Sequence, residues 1–249
     1  MEEAASVHTV KGERARPFVI AHRGASGHRP ENTLSAYELA VEQSADMIEI
    51  DLHISQDGEI VVYHDAHLRG IGGRSYIEEM TFEEICTLDA GGGQRVPLLS
   101  EVLDRFGERV PFNLELKSGR HWRDYPGLPA AALREVTSRS LLEKTLFSSF
   151  HASILEELRG LEPSARIGCI SEHWQPERLL TWAKAVKAES LHLSLPLIDR
   201  AAVETVHGAG LRLHVFTVNE EADMRRLLDL GVDGMFTNYP DRLWGLIRS

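Results

Sequence analysis

Short apolar runs alternate along this chain with longer stretches in which apolar side chains recur every three or four positions, almost to the C-terminus. The short runs predict strands over Phe18–His22, Met47–Leu52, Ile60–His64, Phe112–Leu116, Thr145–Ser149, Ile167–Ile170, Ser190–Ser194, Arg212–Thr217 and Gly234–Thr237. The longer stretches predict helices over Thr33–Glu42, Ser100–Phe106, Leu128–Ser138, Ser153–Arg159, Glu177–Val186, Arg200–His207, Glu220–Leu230 and Asp241–Ile247. Several of these open on residues that cap helix N-termini well. Strand followed by helix, repeated, predicts a parallel sheet. One pair of strands breaks the rhythm. Between Met47–Leu52 and Ile60–His64 there is no room for the crossover of about a dozen residues that parallel pairing requires. Asp57-Gly58 stands there instead, a two-residue hairpin signal. Ile60–His64 is therefore expected to fold back antiparallel, and the remaining eight strands fit a closed (β/α)8 TIM barrel.

The length of 249 residues suits one such barrel, so residues 17–249 read as a single catalytic domain. Residues from about 53 to 96 form one insertion after the second strand. It carries the hairpin, a glycine-rich loop at Gly70, Gly72 and Gly73, and a short helix opened by Thr81 with Glu84 in capping-box spacing. Gly91-Gly92-Gly93 reads as its flexible return to the barrel. Residues 1–16 are polar, lack the apolar core of a secretory signal, and read as a poorly ordered extension.

Composition narrows the function. A formal net charge of -11 excludes nucleic acid as a bulk partner, since duplex binding needs a basic surface. Cys86 and Cys169 form neither a disulfide framework nor a metal motif and suit a reducing compartment. No stretch approaches the roughly 18 apolar residues that span a bilayer. The expectation is a cytoplasmic protein without stable membrane association, acting on a small molecule, for which a homo-oligomer is compatible.

Barrel chemistry sits at the C-terminal ends of the strands. His22, Arg23, Glu49, Asp51, Glu115 and Lys117 all fall there, on the first three barrel strands. Alternation places Glu49 and Asp51 on one face, and Glu115 and Lys117 on one face of the next strand. Three carboxylates can then converge on one hard cation, with Mg²⁺, Ca²⁺ and Mn²⁺ all admissible. The bland reading is a buried salt-bridge cluster of these carboxylates with Arg23 or Lys117. If Asp57-Gly58 is a two-residue turn, Gln56 faces Glu59 and Asp51 faces His64, which brings His64 beside the carboxylates. His53 shares the parity of Asp51 and is a second candidate there. Two histidines near neutral pKa can take a nucleophile's proton and give one to a leaving alkoxide. Of the twelve histidines most must be structural, and His192 and His214 read as core residues before pocket-lining ones.

These motifs strongly resemble the glycerophosphodiester phosphodiesterase family. The resemblance rests on His22-Arg23-Gly24, Pro30-Glu31-Asn32-Thr33, Ile48-Glu49-Ile50-Asp51, Asp57-Gly58 with Val61–Asp65, and Asn113-Leu114-Glu115-Leu116-Lys117. It continues through Ser148-Ser149-Phe150, Thr217-Val218-Asn219 and Gly231–Asn238, covering about residues 18 to 241. It implies a barrel with a small insertion and metal-dependent hydrolysis of glycerophosphodiesters to sn-glycerol 3-phosphate and an alcohol. By motif, His22 and His64 correspond to the acid/base pair and Glu49, Asp51 and Glu115 to the divalent-metal ligands. Arg23 and Lys117 correspond to phosphate-binding groups, and Glu31 and Asn32 lie in a motif that braces the site. The family commonly has tryptophan where this chain has Phe216, a pocket-wall position. It also usually reads Leu-Asp-Arg-Thr-Thr where this chain reads Leu68-Arg69-Gly70-Ile71-Gly72. Both departures bear on substrate choice. Rival readings are a phosphodiesterase for lysophospholipids, a barrel that binds a phosphorylated ligand without turnover, and a metal-dependent sugar isomerase.

Overall fold

The computed structural model describes residues 16–248, so residues 1–15 of the expected N-terminal extension lie outside the described residues. The strands are β1 (Phe18–Ala21), β2 (Met47–Ile54), β3 (Ile60–Val62), β4 (Phe112–Leu116), β5 (Thr145–Ser149), β6 (Arg166–Ser171), β7 (Ser190–Ser194), β8 (Arg212–Phe216) and β9 (Gly234–Thr237). The helices are α1 (Leu34–Glu42), α2 (Phe82–Ile85), α3 (Leu99–Phe106), α4 (Leu128–Ser138), α5 (Ala152–Leu161), α6 (Pro176–Ala185), α7 (Arg200–Gly208), α8 (Glu221–Leu230) and α9 (Pro240–Ile247). The sheet order β1-β9-β8-β7-β6-β5-β4-β2, closed by β1 against β2, is a parallel eight-stranded barrel with β3 as an antiparallel excursion on β2. This is the (β/α)8 TIM barrel the alternating pattern predicts. No helix among the described residues is long and apolar enough to cross a membrane.

Two layers of apolar packing hold the barrel. Outward-facing strand residues such as Val19, Ile48, Leu114, Phe147 and Leu213 meet the helices in the main core. Inside, Ile20, Met47, Leu146 and Phe236 form a smaller cluster that Phe216 joins. The residues between β2 and α3 have their own core of Val61, Leu68, Ile77, Ile85 and Val96. Pro97 and Leu98 pair with the outer edge of β3, so that edge strand is covered. Capping at Thr33 and the Thr81–Glu84 box fix the starts of α1 and α2.

The hairpin departs from the sequence expectation by one residue. Leu52 lies opposite Val62, His53 opposite Val61 and Ile54 opposite Ile60, so the loop holds three residues, Gln56, Asp57 and Gly58. The reason is the use made of Asp57, whose carboxylate accepts from Ser55 Oγ at 2.6 Å and from the Phe82 N–H at 3.0 Å. That double role ties the turn to the start of α2 and selects the longer loop. Asp51 therefore stands opposite Tyr63, whose N–H donates to the Asp51 carbonyl at 3.1 Å. The expected Asp51–His64 pairing is absent, and His64 lies beyond the end of β3. The Gly91–Gly93 segment also differs from the flexible return expected of it. Asp89 accepts hydrogen bonds from the N–H groups of Gly91 at 2.8 Å and Gly93 at 3.0 Å, which makes it a pinned turn.

Within the barrel His192 and His214 stack with ring centroids 5.0 Å apart. They fit because Gly168 and Gly234 face them, where a Cβ would lie 2.5 Å from His192 Nε2 and 2.8 Å from His214 Cδ2. Burial pushes both imidazoles down, His214 to about 4 and His192 well below its ordinary value. An unfolded imidazole titrates near 6.5, so in the window between that value and about 4 the unfolded chain binds a proton that the fold refuses. The stabilisation is complete above pH 6.5 and falls as pH drops, by about 3 kcal/mol for a group shifted this far. Denaturant midpoints measured between pH 7 and 4.5 should fall for the native chain and fall less steeply for His214→Phe. An unchanged slope would exclude His214 as a source of acid lability.

Candidate active site

Each turn at the C-terminal end of the first strands delivers a polar group to one cavity. At the end of β1 the chain turns sharply through His22-Arg23-Gly24. Gly24 lies directly on α1, where a Cβ would come within 2.7 Å of the Ala36 backbone, and its φ of 82° suits only glycine. Arg23 holds a left-handed φ of 58°, which aims its N–H at Glu49 Oε2, 2.8 Å away. Left-handed backbone at a non-glycine residue is strained and tends to collect at functional sites. His22 hydrogen-bonds through Nδ1 to Asn238 Oδ1 at 2.8 Å. Because a carboxamide oxygen only accepts, Nδ1 of His22 carries the proton and Nε2 of the neutral ring is left basic.

Glu49, Asp51 and Glu115 converge as alternation on β2 and β4 predicts. Each offers one oxygen, all within 4.8 Å of one another, and all three side chains are buried. Burial and the neighbouring carboxylates Asp51 and Glu115 push Glu49 well above the usual carboxylate range. Glu115 is also raised by burial and Asp51, although Lys117 opposes this. Asp51 goes the other way. Burial disfavours its charge, but Lys117 and Arg23 outweigh that and hold it well below the ordinary value. Lys117 Nζ sits 2.8 Å from Asp51 Oδ1 and also pairs with Glu115, and Arg23 Nε lies 3.3 Å from Asp51 Oδ2. Even so, Glu49 Oε1 is buried without a hydrogen-bond partner among the described residues. A buried acceptor of that kind calls for a cation. An all-oxygen donor set fits a hard divalent ion, and these three residues could hold one.

The Pro30-Glu31-Asn32-Thr33 segment lies against this cluster. Asn32 Nδ2 donates to Asp51 Oδ2 at 2.7 Å, Tyr37 Oη donates back to Asn32 Oδ1 at 2.9 Å, and Glu31 pairs with Arg23 at 3.0 Å. His64 reaches the same cavity from its loop, with Nδ1 2.7 Å from Asp65 Oδ1. His53 occupies both ring nitrogens inward of it, Nδ1 with Tyr125 Oη at 2.8 Å and Nε2 with the His64 carbonyl at 3.0 Å. It thus fixes the backbone that carries His64. Phe216 stands on the cavity wall, edge-on to Phe150 and Phe236.

The cavity measures about 260 Å³ and is lined by His22, Arg23, Glu49, His64, Glu115 and Lys117 at the mouth. Asn113, His192 and Phe236 also line it. Sequence reasoning did not place Asn238, Tyr125 or Asn113 at the site. Asn238 and Asn113 lie at a strand end and two residues before Glu115 respectively, and those positions were the available signal. Tyr125, which the sequence alone reads as a packing aromatic or a cover of the barrel mouth, arrives from the segment before α4.

Residues 22–242 match the glycerophosphoryl diester phosphodiesterase family. The chain is 35% identical over 251 residues to the glycerophosphodiester phosphodiesterase of Bacillus subtilis (strain 168), covering 91% of this chain and 85% of that one. It is 34% identical over 246 residues to the glycerophosphodiester phosphodiesterase of Caldanaerobacter subterraneus subsp. tengcongensis, covering 94% of this chain and 99% of that one. Among solved structures, an Oleispira antarctica phosphodiesterase in complex with the product sn-glycerol-3-phosphate superposes with a TM-score of 0.82 at 30% identity, over 94% of this chain and 98% of the other. With its barrel, its buried carboxylate cluster and these relatives, the chain belongs to the glycerophosphoryl diester phosphodiesterase family and is an enzyme of that family.

Proposed function

We propose that the enzyme hydrolyses glycerophosphodiesters to sn-glycerol 3-phosphate and an alcohol, using His22 and His64 as its proton-transfer groups. The observation that carries this reading is the cluster of Glu49, Asp51 and Glu115 at one small cavity that His22, His64, Arg23 and Lys117 also line, Asp51 standing just behind its wall. The product held by the Oleispira antarctica relative supports the substrate class.

Neutral His22, with Nδ1–H fixed on Asn238, takes the proton of the attacking oxygen at Nε2. Burial, with Arg23 adding to it, lowers His22 to about 4, which keeps it unprotonated at neutral pH. His64 gives a proton to the leaving alkoxide, and its carboxylate neighbour Asp65 holds the ring by Nδ1. Arg23 and Lys117 bind the non-bridging phosphate oxygens, exchanging part of their pairing with Asp51 for the incoming anion. A divalent cation held by Glu49, Asp51 and Glu115 would supply further positive charge opposite the phosphate. His53 and Tyr125 keep the His64 loop in place, while Asn32 and Glu31 fix Asp51 and Arg23.

The test is release of glycerol 3-phosphate from a panel of glycerophosphodiesters by chelator-treated protein, with and without Mg²⁺, Ca²⁺ or Mn²⁺. Release that appears only after a divalent ion is restored is the expected result. Failure with every head group and every ion would overturn the reading.

A further inference from the structure

We infer that the groove between α5 and α6 receives the head group of the diester, and that Glu172 and Phe150 make the enzyme favour a cationic one such as a quaternary ammonium alcohol. The inference rests on the proposed activity and adds a head-group preference that the carboxylate cluster and His22/His64 do not explain. The cavity at the carboxylates measures about 260 Å³, below the roughly 300–1,000 Å³ of sites that enclose a drug-sized ligand. A diester with its phosphate there has its far end elsewhere. A second cavity of about 920 Å³ adjoins the first, and Phe150, Ile170 and Glu172 line both. The two spaces meet where β5 and β6 end. Phe150 is 40% exposed and Glu172 stands on the surface, so the junction is open rather than a closed partition.

Charge in the groove is predominantly negative. Glu156, Glu172 and Glu177 line it against a single guanidinium, Arg178, with His151 and His173 as the other titratable groups. Among the described residues none of these three carboxylates has an ion-pair partner or a side-chain hydrogen bond. The turn that carries Glu172 is nonetheless fixed, because Ser171 Oγ accepts from the His173 N–H at 3.1 Å and donates to the His173 carbonyl at 2.9 Å. The inner cavity presents Arg23 and Lys117 for the phosphate. A zwitterionic diester laid from one space into the other meets complementary charge at each end.

The other lining side chains agree with this chemistry. Ile170, Leu179 and Trp182 supply apolar surface. Phe150 adds an aromatic ring at the junction, edge-on to Phe216 with ring centroids 6.1 Å apart. Beyond it Trp122, 80% exposed, stacks on His151 at 6.3 Å and extends the aromatic edge of the groove. Aromatic faces attract a cation. A quaternary ammonium, which has no N–H to satisfy, rests on apolar surface at less cost than a hydrated amine. An anionic head group gains from neither the carboxylates nor the rings.

The experiment compares kcat/KM for glycerophosphocholine and for its carbon isostere, in which a tert-butyl group replaces the trimethylammonium. Shape is kept and charge is removed. The two leaving alcohols differ in acidity, so the readout is the change in the ratio between the native enzyme and each variant. Such ratios are independent of how much of a variant folds. Glu172→Gln and Phe150→Leu should each lower the choline-to-isostere ratio about twofold to fivefold, the range for one exposed charge pair or one cation–π contact. Glu42→Gln, which removes a charge from α1 across the barrel, should leave the ratio unchanged. The Glu172 effect should shrink in about 1 M salt, where the screening length falls from about 10 Å to about 3 Å. A native ratio in Glu172→Gln would place the head group elsewhere and overturn the inference while leaving the activity intact. An equal drop in Glu42→Gln would reduce the effect to net charge and overturn it as well. No cleavage of any diester by the native enzyme would instead overturn the functional reading beneath it.

Discussion

His22→Ala is expected to lower kcat by about 10²- to 10⁴-fold, the usual contribution of a positioned proton-transfer group. The size follows from how fully the ring is committed. Asn238 fixes one nitrogen at 2.8 Å, and the turn at Gly24 and the His22 N–H bond to the Thr237 carbonyl at 3.0 Å fix the backbone. Neither neighbouring buried imidazole can swing in, because His53 has both nitrogens engaged and His192 is held through Nε2 by Ser190 and His214. KM should change little if Arg23 and Lys117 hold the phosphate as proposed. Asn238→Leu should lower kcat as well, but less, because it loosens the ring without removing it. Steady-state kinetics on glycerophosphocholine decide the matter, and an alanine variant within a few-fold of native kcat removes His22 from proton transfer.

Glu49→Gln should separate stability from activity. The carboxylate is buried beside Asp51 and Glu115, and repulsion among the three together with burial is what raises it. Glutamine keeps an acceptor for the Arg23 N–H while removing that charge. In chelator the variant should therefore melt about 2–4 °C higher for each kcal/mol relieved. Added divalent ion should raise the native Tm by linkage and move the variant far less. Activity should fall by at least about tenfold even at high metal. Thermal unfolding with and without ion tests this directly. A variant that melts lower in chelator would mean that Glu49 already has a compensating partner and is no charge reservoir for a cation.

The two variants act through different links. In the proposed mechanism His22 lies on the chemical link, and its removal is expected to change the rate rather than the fold. Glu49 lies on the link between folding energetics and function, since a site that attracts a cation must leave charge uncompensated without it. Asp51 shows the opposite compromise, with Lys117, Arg23 and Asn32 satisfying nearly all its oxygen capacity. Of the three carboxylates, Asp51 is the most preorganised.

Periodicity determined the barrel, because alternating strands and amphipathic helices are local patterns that only a few layered arrangements can bury. It also determined that Glu49 with Asp51, and Glu115 with Lys117, share a face, since the two-residue repeat of a strand is fixed by backbone geometry. The ordered motifs brought His22 and the Pro30–Thr33 segment to the same site. What the sequence could not decide was anything set by contacts between distant segments. The register of β2 and β3 depended on Asp57 binding the start of α2, twenty-five residues away, and that shifted His64 off the expected pairing. The partners of His22 and His53, Asn238 and Tyr125, arrive from 216 and 72 residues away. His192 reads locally as one more core histidine. Only the closed barrel, which sets Gly168 beside its ring and stacks it on His214, decides what surrounds it. Local pattern fixes which face a side chain takes, whereas its hydrogen-bond partner depends on chain closure, which no local window contains.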